Sequence, residues 1–321
     1  MLHTVLTALL PVAFAIALGW LSGRLGYLRH EHADVFAIFV LRFALPLSLL
    51  GGALHATAAE IANLPFLFCL AFGLMGTYVL AILAGLFLFG HDLKTSTIQA
   101  LVCAFPDMAY FGAPVLAAVI GPTGFLAVLV GNLVTSLLML PATIFLVSLG
   151  DRHSGNQAEP ASPTQSPAQI FVGSLLNAVC NPIVWVPVGG AVITLAGLRL
   201  PGPVLASVDI IGHASGGTSL FALGLMFYGE RFKIDREVLA NIGFKNFVQP
   251  ALMVFGVVLF HLSGPLAHQV ILTGAVPTAT AAGMFAIRAH AYMAPAAATI
   301  LISTLLGLAT EAAVIAALPG L

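Results

Sequence analysis

QALVCAFPDMAYFGAPVL, residues 99–116, is apolar at both ends, yet its middle contains Pro106, Asp107, Gly112 and Pro114. A proline inside a helix removes one backbone N–H and crowds the carbonyl four residues before it. In lipid, a backbone group freed in this way is costly unless another group satisfies it. The stretch therefore predicts a helix that is broken at membrane depth, where the break faces protein or a water-filled cavity.

The composition of the chain is that of a membrane protein. Of its 321 residues, 60% are hydrophobic and 7% are charged, whereas about a quarter of the residues in an ordinary soluble domain are charged. The formal net charge of −1 gives no electrostatic footprint for nucleic acid. Cys69, Cys103 and Cys180 lie in apolar stretches and have neither a disulfide nor a metal spacing. We therefore expect lipid as the main solvent, no nucleic-acid partner, no cofactor and no metal.

Ten segments reach, or nearly reach, the length of a membrane-spanning helix. Such a helix needs about 20 apolar residues, because a rise of about 1.5 Å per residue has to cover roughly 30 Å of hydrocarbon. The predicted spans lie near residues 3–22, 35–55, 63–89, 96–119, 123–149, 168–197, 203–227, 238–262, 266–291 and 294–318. The first lacks the basic region of a signal peptide, so we expect it to be retained.

A polar stretch divides the spans into two groups of five. DRHSGNQAEPASPTQSPAQ, residues 151–169, is rich in Ser, Pro and Gln and has no apolar period, which predicts a solvated cytoplasmic linker. The halves on either side are 1–150 and 170–321. Because five is an odd number, a second half that repeats the first enters the membrane from the opposite face. The sequence thus predicts an inverted-topology repeat.

A shared pattern, A-x-P-x5-G, occurs in the fourth span of each half. AFPDMAYFG occupies 104–112 and AVPTATAAG occupies 275–283, so that Pro106 and Pro277 lie 171 positions apart. Each break creates half-helix ends near the middle of the bilayer. The N-termini offer free N–H groups that suit a carboxylate, and the C-termini offer carbonyls that suit a cation or a proton donor. Paired breaks in corresponding positions are typical of a transporter's binding site.

The distribution of Lys and Arg predicts the orientation in the membrane. Loops after the odd-numbered spans contain most of them, and the opposite loops contain only Arg199. The loop residues on the rich side are Arg24, Arg29, Lys94, Arg152, Arg231, Lys233 and Arg236, with Lys245 and Arg288 expected close to the same side. We therefore expect a multi-pass protein of the bacterial inner membrane, with cytoplasmic odd-numbered loops and both termini outside.

On ten spans in two halves, AFPDMAYFGAPVL and GAVPTATAAGMFAIRAHAY resemble the auxin efflux carrier family over essentially the whole chain. That family includes plant auxin exporters and bacterial carboxylate carriers of the malonate-carrier type. The resemblance implies an all-α fold similar to that of bile-acid/sodium symporters, in which broken spans 4 and 9 cross. Spans 3–5 and 8–10 would form a transport core, and spans 1, 2, 6 and 7 a support panel. The family often has asparagine beside the crossover proline, where this chain has Asp107 and Thr278.

Asp107 is the residue expected to bind the coupling ion, H⁺ or Na⁺. A carboxylate deep in a membrane is expensive and marks a functional candidate. The alternative is a carboxyl group that only caps the N–H groups of the second half-helix. Beside an anionic substrate, a proton on Asp107 would remove a like-charge repulsion, which predicts symport of anion and proton.

The other residues expected at the substrate site come from the two breaks and from spans 5 and 10. They are Pro106, Tyr110, Gly112, Asn132, Pro277, Thr278, Thr280, Gly283, Ser303 and Thr304. The threonines of the second break can contact a carboxylate or the partner break, or they can bond locally to freed carbonyls. Tyr110 can bond substrate or form a wall. Gly112 and Gly283 are expected to let the crossing backbones approach closely. The resemblance implies that the residues of spans 5 and 10 face the breaks; the alternative is that they form hydrogen bonds between helices.

Other polar residues in the spans have a structural and a functional interpretation. Arg288, about 16 Å beyond Pro277 if helical, either reaches the cytoplasmic surface or attracts the anion at the inner mouth. Arg42 is expected to pair with Asp209 or Glu311, or to reach the surface. Glu311 is expected to be interfacial, near the outer end of span 10.

The sequence has no H-E-x-x-H, G-x-S-x-G, Walker A or C-x-x-C motif, so we expect no enzyme. The paired breaks predict a secondary active transporter of a small organic anion, and the resemblance implies malonate or a similar carboxylate as substrate, with alternating access around the crossing of spans 4 and 9. The alternatives are a passive channel or facilitator, and an intramembrane enzyme that uses Asp107 with His213. The expected partners are the carboxylate and the bilayer, and the helix faces allow a homodimer.

Overall fold

The computed structural model describes residues 2–55, 57–153, 172–173, 176, 180, 182–198, 200–228 and 233–318. In these ranges the chain is helical and contains no strand, apart from one isolated antiparallel bridge. Five continuous helical segments are long and apolar enough to cross a membrane, and they coincide with predicted spans 3, 5, 7, 8 and 10. They are Leu64–Phe87, Phe125–Asp151, Gly202–Phe227, Arg236–Leu259 and Met293–Ala317. The prediction of an all-α membrane protein is confirmed; the predicted linker, from residue 154 onwards, lies outside the described residues.

The α-helices are numbered in chain order. The first nine are α1 Leu2–Arg24, α2 Ala33–Phe39, α3 Leu45–His55, α4 Ala58–Ile61, α5 Leu64–Phe87, α6 Leu93–Ala104, α7 Ala113–Ile120, α8 Phe125–Val134 and α9 Leu140–His153. After these follow α10 Pro182–Leu195, α11 Gly202–Phe227, α12 Arg236–Gly243, α13 Gln249–Leu259, α14 Gly264–Ala275, α15 Thr280–Ala289 and α16 Met293–Ala317. Short π-helical turns occupy Val40–Ala44, Met108–Gly112, Thr135–Met139 and Phe244–Val248, and 3₁₀ turns occupy His30–His32 and Pro122–Gly124.

Side-chain caps fix where several of these helices begin. Asn63 accepts a hydrogen bond from the N–H of Phe66 at the start of α5, at 2.9 Å. Asp92 and Asp235 cap α6 and α12 in the same way. A capping side chain satisfies one of the four N–H groups that a helix start leaves without an intrahelical partner. The three caps therefore place the starts of these helices within a few residues of the predicted span starts.

The helices pack in two groups. In one, α11 packs against α1 and α3, and α3 packs against α10. In the other, α5 packs against α6, α13 and α14, and α6 packs against α9. Among the described glycines, Gly224 of α11 leaves the least room for a side chain: an added Cβ would lie 1.9 Å from the carbonyl oxygen of Ile16 in α1. Glycine is the residue that permits this backbone approach, which is how small residues let membrane helices pack closely.

Candidate functional site

The two proline breaks cross each other in the interior of the protein. Helix α6 ends at Ala104 and α14 ends at Ala275. After each helix the backbone leaves the helical conformation and passes through the proline of the break. Pro106 and Thr278 form an antiparallel bridge. The N–H of Asp107 donates to the carbonyl of Pro277 at 2.8 Å, and the N–H of Ala279 donates to the carbonyl of Phe105 at 2.9 Å. We call residues 105–107 and 277–279 the crossover. Each of its two segments forms hydrogen bonds with backbone groups that the helix break leaves free in the other segment.

Side chains from the second half of the chain satisfy further carbonyls at the end of α6. In an uninterrupted helix, the carbonyl of Val102 would accept from residue 106, but Pro106 has no N–H. The hydroxyl of Thr278 donates to this carbonyl at 3.0 Å. The amide of Gln249 donates to the carbonyl of Ala104 at 2.8 Å. The hydroxyl of Thr278 therefore contacts the partner break.

The sequence left two interpretations of Asp107 open, the binding of a coupling ion and the capping of a half-helix, and the two carboxyl oxygens differ in this respect. It is buried, and one carboxyl oxygen accepts from the N–H of Tyr110 at 3.1 Å, which is the capping role. The second oxygen, Oδ2, has no hydrogen-bond partner among the described residues. A buried acceptor without a partner is costly. Capping thus leaves one oxygen at the crossover that can take a proton or a cation.

The remaining predicted site residues lie around the crossover with different contacts. Ser303 accepts a hydrogen bond from the N–H of Thr278 at 3.1 Å, so α16 is tied to the crossover. The hydroxyl of Thr304 donates within its own helix, to the carbonyl of Ile300. Asn132, in α8, has a buried side-chain nitrogen without a partner among the residues that the structure describes. Thr280 begins α15.

The two glycines of the breaks lie against side chains. A Cβ on Gly112 would lie 3.4 Å from the side chain of Val276 in the second broken segment. One on Gly283 would lie 3.0 Å from the side chain of Ile300. Arg288 belongs to α15, but its side chain lies outside what the structure describes.

Two charged residues that the sequence assigned to the membrane edges are enclosed by protein. Lys245 is 1% exposed, and Glu311 has no exposed surface. The expectation of an interfacial Glu311, and of Lys245 beside the cytoplasmic loops, is wrong because neighbouring helices cover both. For Lys245 the sequence contained one indication of burial: Lys245 and Gln249 lie one helical turn apart in an apolar span, so they share a face of the helix.

Lys245 connects to the crossover through Gln249. Its amino group donates to the side-chain oxygen of Gln249, whose amide in turn bonds Ala104. The charge of Lys245 also acts on the carboxyl groups of Asp107 and Glu311. Asp107, Lys245 and Glu311 are here called the buried charge cluster. Within the described part of the chain, none of the three forms an ion pair within 4 Å.

Glu311 lies one helical turn from a residue that contacts the crossover. A Cβ on Gly307 would lie 3.1 Å from the ring of Pro277. Beside Glu311, the hydroxyl of Thr310 accepts from the amide of Asn246, the neighbour of Lys245, at 3.4 Å. Both carboxyl oxygens of Glu311 lack a hydrogen-bond partner among the described residues. The cluster therefore contains three unpartnered carboxyl oxygens and one amino group.

A cavity of about 420 Å³ lies between two helices of the first group and the segment that follows the crossover. Its walls include α7, which follows the crossover, together with α3 and α11. The polar residues that line it are Ser48, His55, Asp209, His213 and Ser215. The structure does not bring His213 into hydrogen-bond contact with Asp107, as the enzyme alternative required. Nor does Arg42, which is exposed, form an ion pair with Asp209 or Glu311.

Interrupted helices that cross inside an apolar helical protein, with a buried carboxyl oxygen at the crossing that no described residue bonds, are typical of a membrane transporter. The chain matches the family described as "Membrane transport protein" over residues 4–315 and belongs to it. This confirms the family that the resemblance to auxin efflux carriers indicated.

Two relatives match nearly the whole chain. The "Uncharacterized transporter YfdV" of Escherichia coli (strain K12) is 24% identical over 309 residues, 92% of either chain. The "Putative malonate transporter" of Rhizobium meliloti (strain 1021) is 24% identical over 306 residues, which are 94% of this chain and 92% of the relative. The second name describes that relative.

Proposed function

We propose that this protein is a secondary active transporter of a small organic anion, with malonate or a similar short carboxylate as substrate and H⁺ or Na⁺ as coupling ion. The observation that carries the proposal is the bridge between Pro106 and Thr278, which joins two broken helices in the protein interior. A break at membrane depth persists where it serves a binding site, because its polar groups must be satisfied away from lipid.

The same observation supports the ten-span inverted repeat. The two segments that meet at the crossover lie 171 positions apart in sequence; within it Pro106 pairs with Thr278, and Asp107 bonds Pro277. Asn132 and Ser303 have the same separation, and both lie beside the broken helices. In this architecture the helices α5 to α9 and α12 to α16 form a core around the crossover. The helices α1, α3, α10 and α11 form the panel, and the basic loops place both termini outside the inner membrane.

The cavity supports a route for the substrate between panel and core. Its volume falls within the range of about 300–1,000 Å³ that is usual for small-molecule sites. His55 and His213 offer imidazole donors for a carboxylate at its walls. One π-helical turn, Met108–Gly112, separates α7 from the crossover, so an anion that moves from this cavity along the segment would approach Asp107. We place the alternating movement at this boundary, where the core slides against α3 and α11.

The direct test is the uptake of labelled malonate into proteoliposomes under an imposed proton or sodium gradient. A saturable uptake that unlabelled malonate competes for, and that one of the gradients accelerates, is the expected result. Protein-free vesicles and the variant Lys94→Gln are the controls; Lys94 pairs with Asp151 away from the crossover. Uptake no greater than in protein-free vesicles, across a panel of mono- and dicarboxylates, would refute the proposal. Uptake that does not saturate and shows no counterflow would favour a channel.

A further inference from the structure

We infer that the buried charge cluster, Asp107, Lys245 and Glu311, binds the coupling proton, and that Lys245 excludes Na⁺ from this place. The inference rests on the proposed transport function and names its coupling ion and two residues that act with Asp107. Three elements supply the cluster: the crossover, the π-helical turn Phe244–Val248 and α16. A π turn inside an α-helix is a frequent mark of a functional site.

The charges of the cluster balance only when it holds a proton. With both carboxyl groups ionised and Lys245 charged, the cluster has a net charge of −1. One proton on either carboxyl group makes it neutral. Because an uncompensated charge in the protein interior is strongly unfavourable, the neutral form is favoured. Among the described residues, the titratable groups whose charge acts on Lys245 are Cys103, Asp107 and Glu311.

An arriving carboxylate strengthens this requirement. Next to the crossover it adds a negative charge, which favours the protonated cluster over the ionised one. Substrate and proton therefore bind together and leave together. Lys245 has two carboxyl groups to balance, Asp107 on the crossover and Glu311 beside it. The positive charge of Lys245 compensates one ionised carboxyl group, and the other carboxyl group carries the proton.

Two of the oxygen atoms that could help to hold Na⁺ at this place already have other partners, and the three carboxyl oxygens without one lie in a cluster that contains the amino group of Lys245. A sodium site in a broken-helix transporter uses half-helix carbonyls and side-chain oxygens. Here the carbonyl of Ala104 accepts from Gln249, and the side-chain oxygen of Gln249 accepts from Lys245. The amino group of Lys245 is itself a fixed cation at this place. A second cation would have to bind beside it against like-charge repulsion.

The first experiment measures exchange of labelled for unlabelled malonate in proteoliposomes of equal internal and external pH, with K⁺ as the sole alkali cation. We expect the exchange rate of the wild type to fall as the pH rises and the cluster loses its proton. Glu311→Gln, which imitates the protonated acid, should lose this pH dependence and the acceleration by an inward proton gradient. Glu311→Asp should keep both. Glu237→Gln, which removes a carboxylate paired with His91 at the start of α12, is the matched control.

A second measurement needs no transport and keeps the inference testable if Lys245 variants fold poorly. Lys245→Met leaves two carboxyl groups without their cation and should lower the unfolding temperature in detergent. In the double variant Lys245→Met/Glu311→Gln, part of this loss should be recovered. Additive effects of the two substitutions, an unchanged pH profile in Glu311→Gln, or a strict need for Na⁺ would each overturn the inference. Failure of all carboxylate uptake, with the recovery intact, would instead refute the proposed function alone.

Discussion

Replacing Thr278 by valine tests whether hydrogen bonds between its two strands hold the crossover together. The substitution keeps the shape of the side chain and removes the hydroxyl that donates to the carbonyl of Val102 at 3.0 Å. Thr278 has no exposed surface, so water does not reach this carbonyl easily. A buried acceptor that loses its partner costs about 1–3 kcal/mol. The carbonyl of Val102 has no alternative donor in its own helix, because Pro106 lacks the N–H that would reach it.

The assay is thermal unfolding of the purified protein in detergent, followed by fluorescence-detected gel filtration. For domains of 150–250 residues, 1 kcal/mol corresponds to about 2–4 °C in unfolding temperature, so we expect Thr278→Val to lose several degrees. Thr304→Val is the matched control. Its hydroxyl is also buried, but it donates to the carbonyl of Ile300, which keeps the helical N–H of Thr304 as a partner. Equal unfolding temperatures for the two variants would refute the reasoning.

Two further predictions concern the panel and the start of α6. Gly224→Ala should sharply reduce the yield of folded protein, because the new Cβ would lie 1.9 Å from the carbonyl oxygen of Ile16, whereas Gly217→Ala in the same helix meets nothing within 4 Å and should leave it unchanged. Asp92→Ala should cost about 0.5–2 kcal/mol, as the loss of a helix cap does. Desolvation raises the pKa of Asp92, but hydrogen bonds from Thr95 outweigh it and the pKa is lowered. The stabilisation by Asp92 is therefore present above the ordinary pKa and lost as the pH falls through the lowered one, so the difference in unfolding temperature between wild type and variant should shrink below pH 3.8.

The breaks could be predicted from sequence because they follow from a covalent property of proline. Pro106 and Pro277 lack an N–H wherever they are placed, and their surroundings are apolar, so interruption at membrane depth follows from local chemistry. That the two breaks meet came from the resemblance alone. Their actual pairing, Pro106 opposite Thr278, depends on how distant helices pack, which no local pattern contains.

Lys245 and Glu311 were missed for the same reason. Their enclosure depends on which helices surround them, and the sequence shows only their distance from the nearest loops. For Lys245 this distance already held a warning: it lies ten residues after the cap Asp235, about 15 Å into a hydrocarbon layer of roughly 30 Å. Counting it among the residues beside the loops overlooked this depth. Glu311 gave no such signal, since it lies near the end of α16.

The bonds at the end of α6 also indicate which contacts stay intact during transport. The carbonyls of Val102, Ala104 and Phe105 accept from three residues of the second half of the chain. Neither half can satisfy its own break, so the crossover forms only when both halves have assembled. About two helical turns before Pro106, the side chain of Gln99 in α6 donates to the buried amide oxygen of Asn241, whose amide nitrogen donates to Thr299 of α16.

The boundary with the panel has far weaker polar ties. Helix α11 contacts the π-helical turn that follows the crossover, where the hydroxyl of Ser219 donates to the carbonyl of Tyr110 at 3.1 Å. The same hydroxyl has a second acceptor in the carbonyl of Gly216, in its own helix. Breaking this contact leaves the serine hydroxyl satisfied, so it costs less than breaking the bonds inside the crossover. We expect the alternating movement of the proposed transport cycle at the boundary whose hydrogen bonds are most easily replaced. The core should therefore move as one body against α11. The buried charge cluster would then travel with the crossover, and its proton with the substrate.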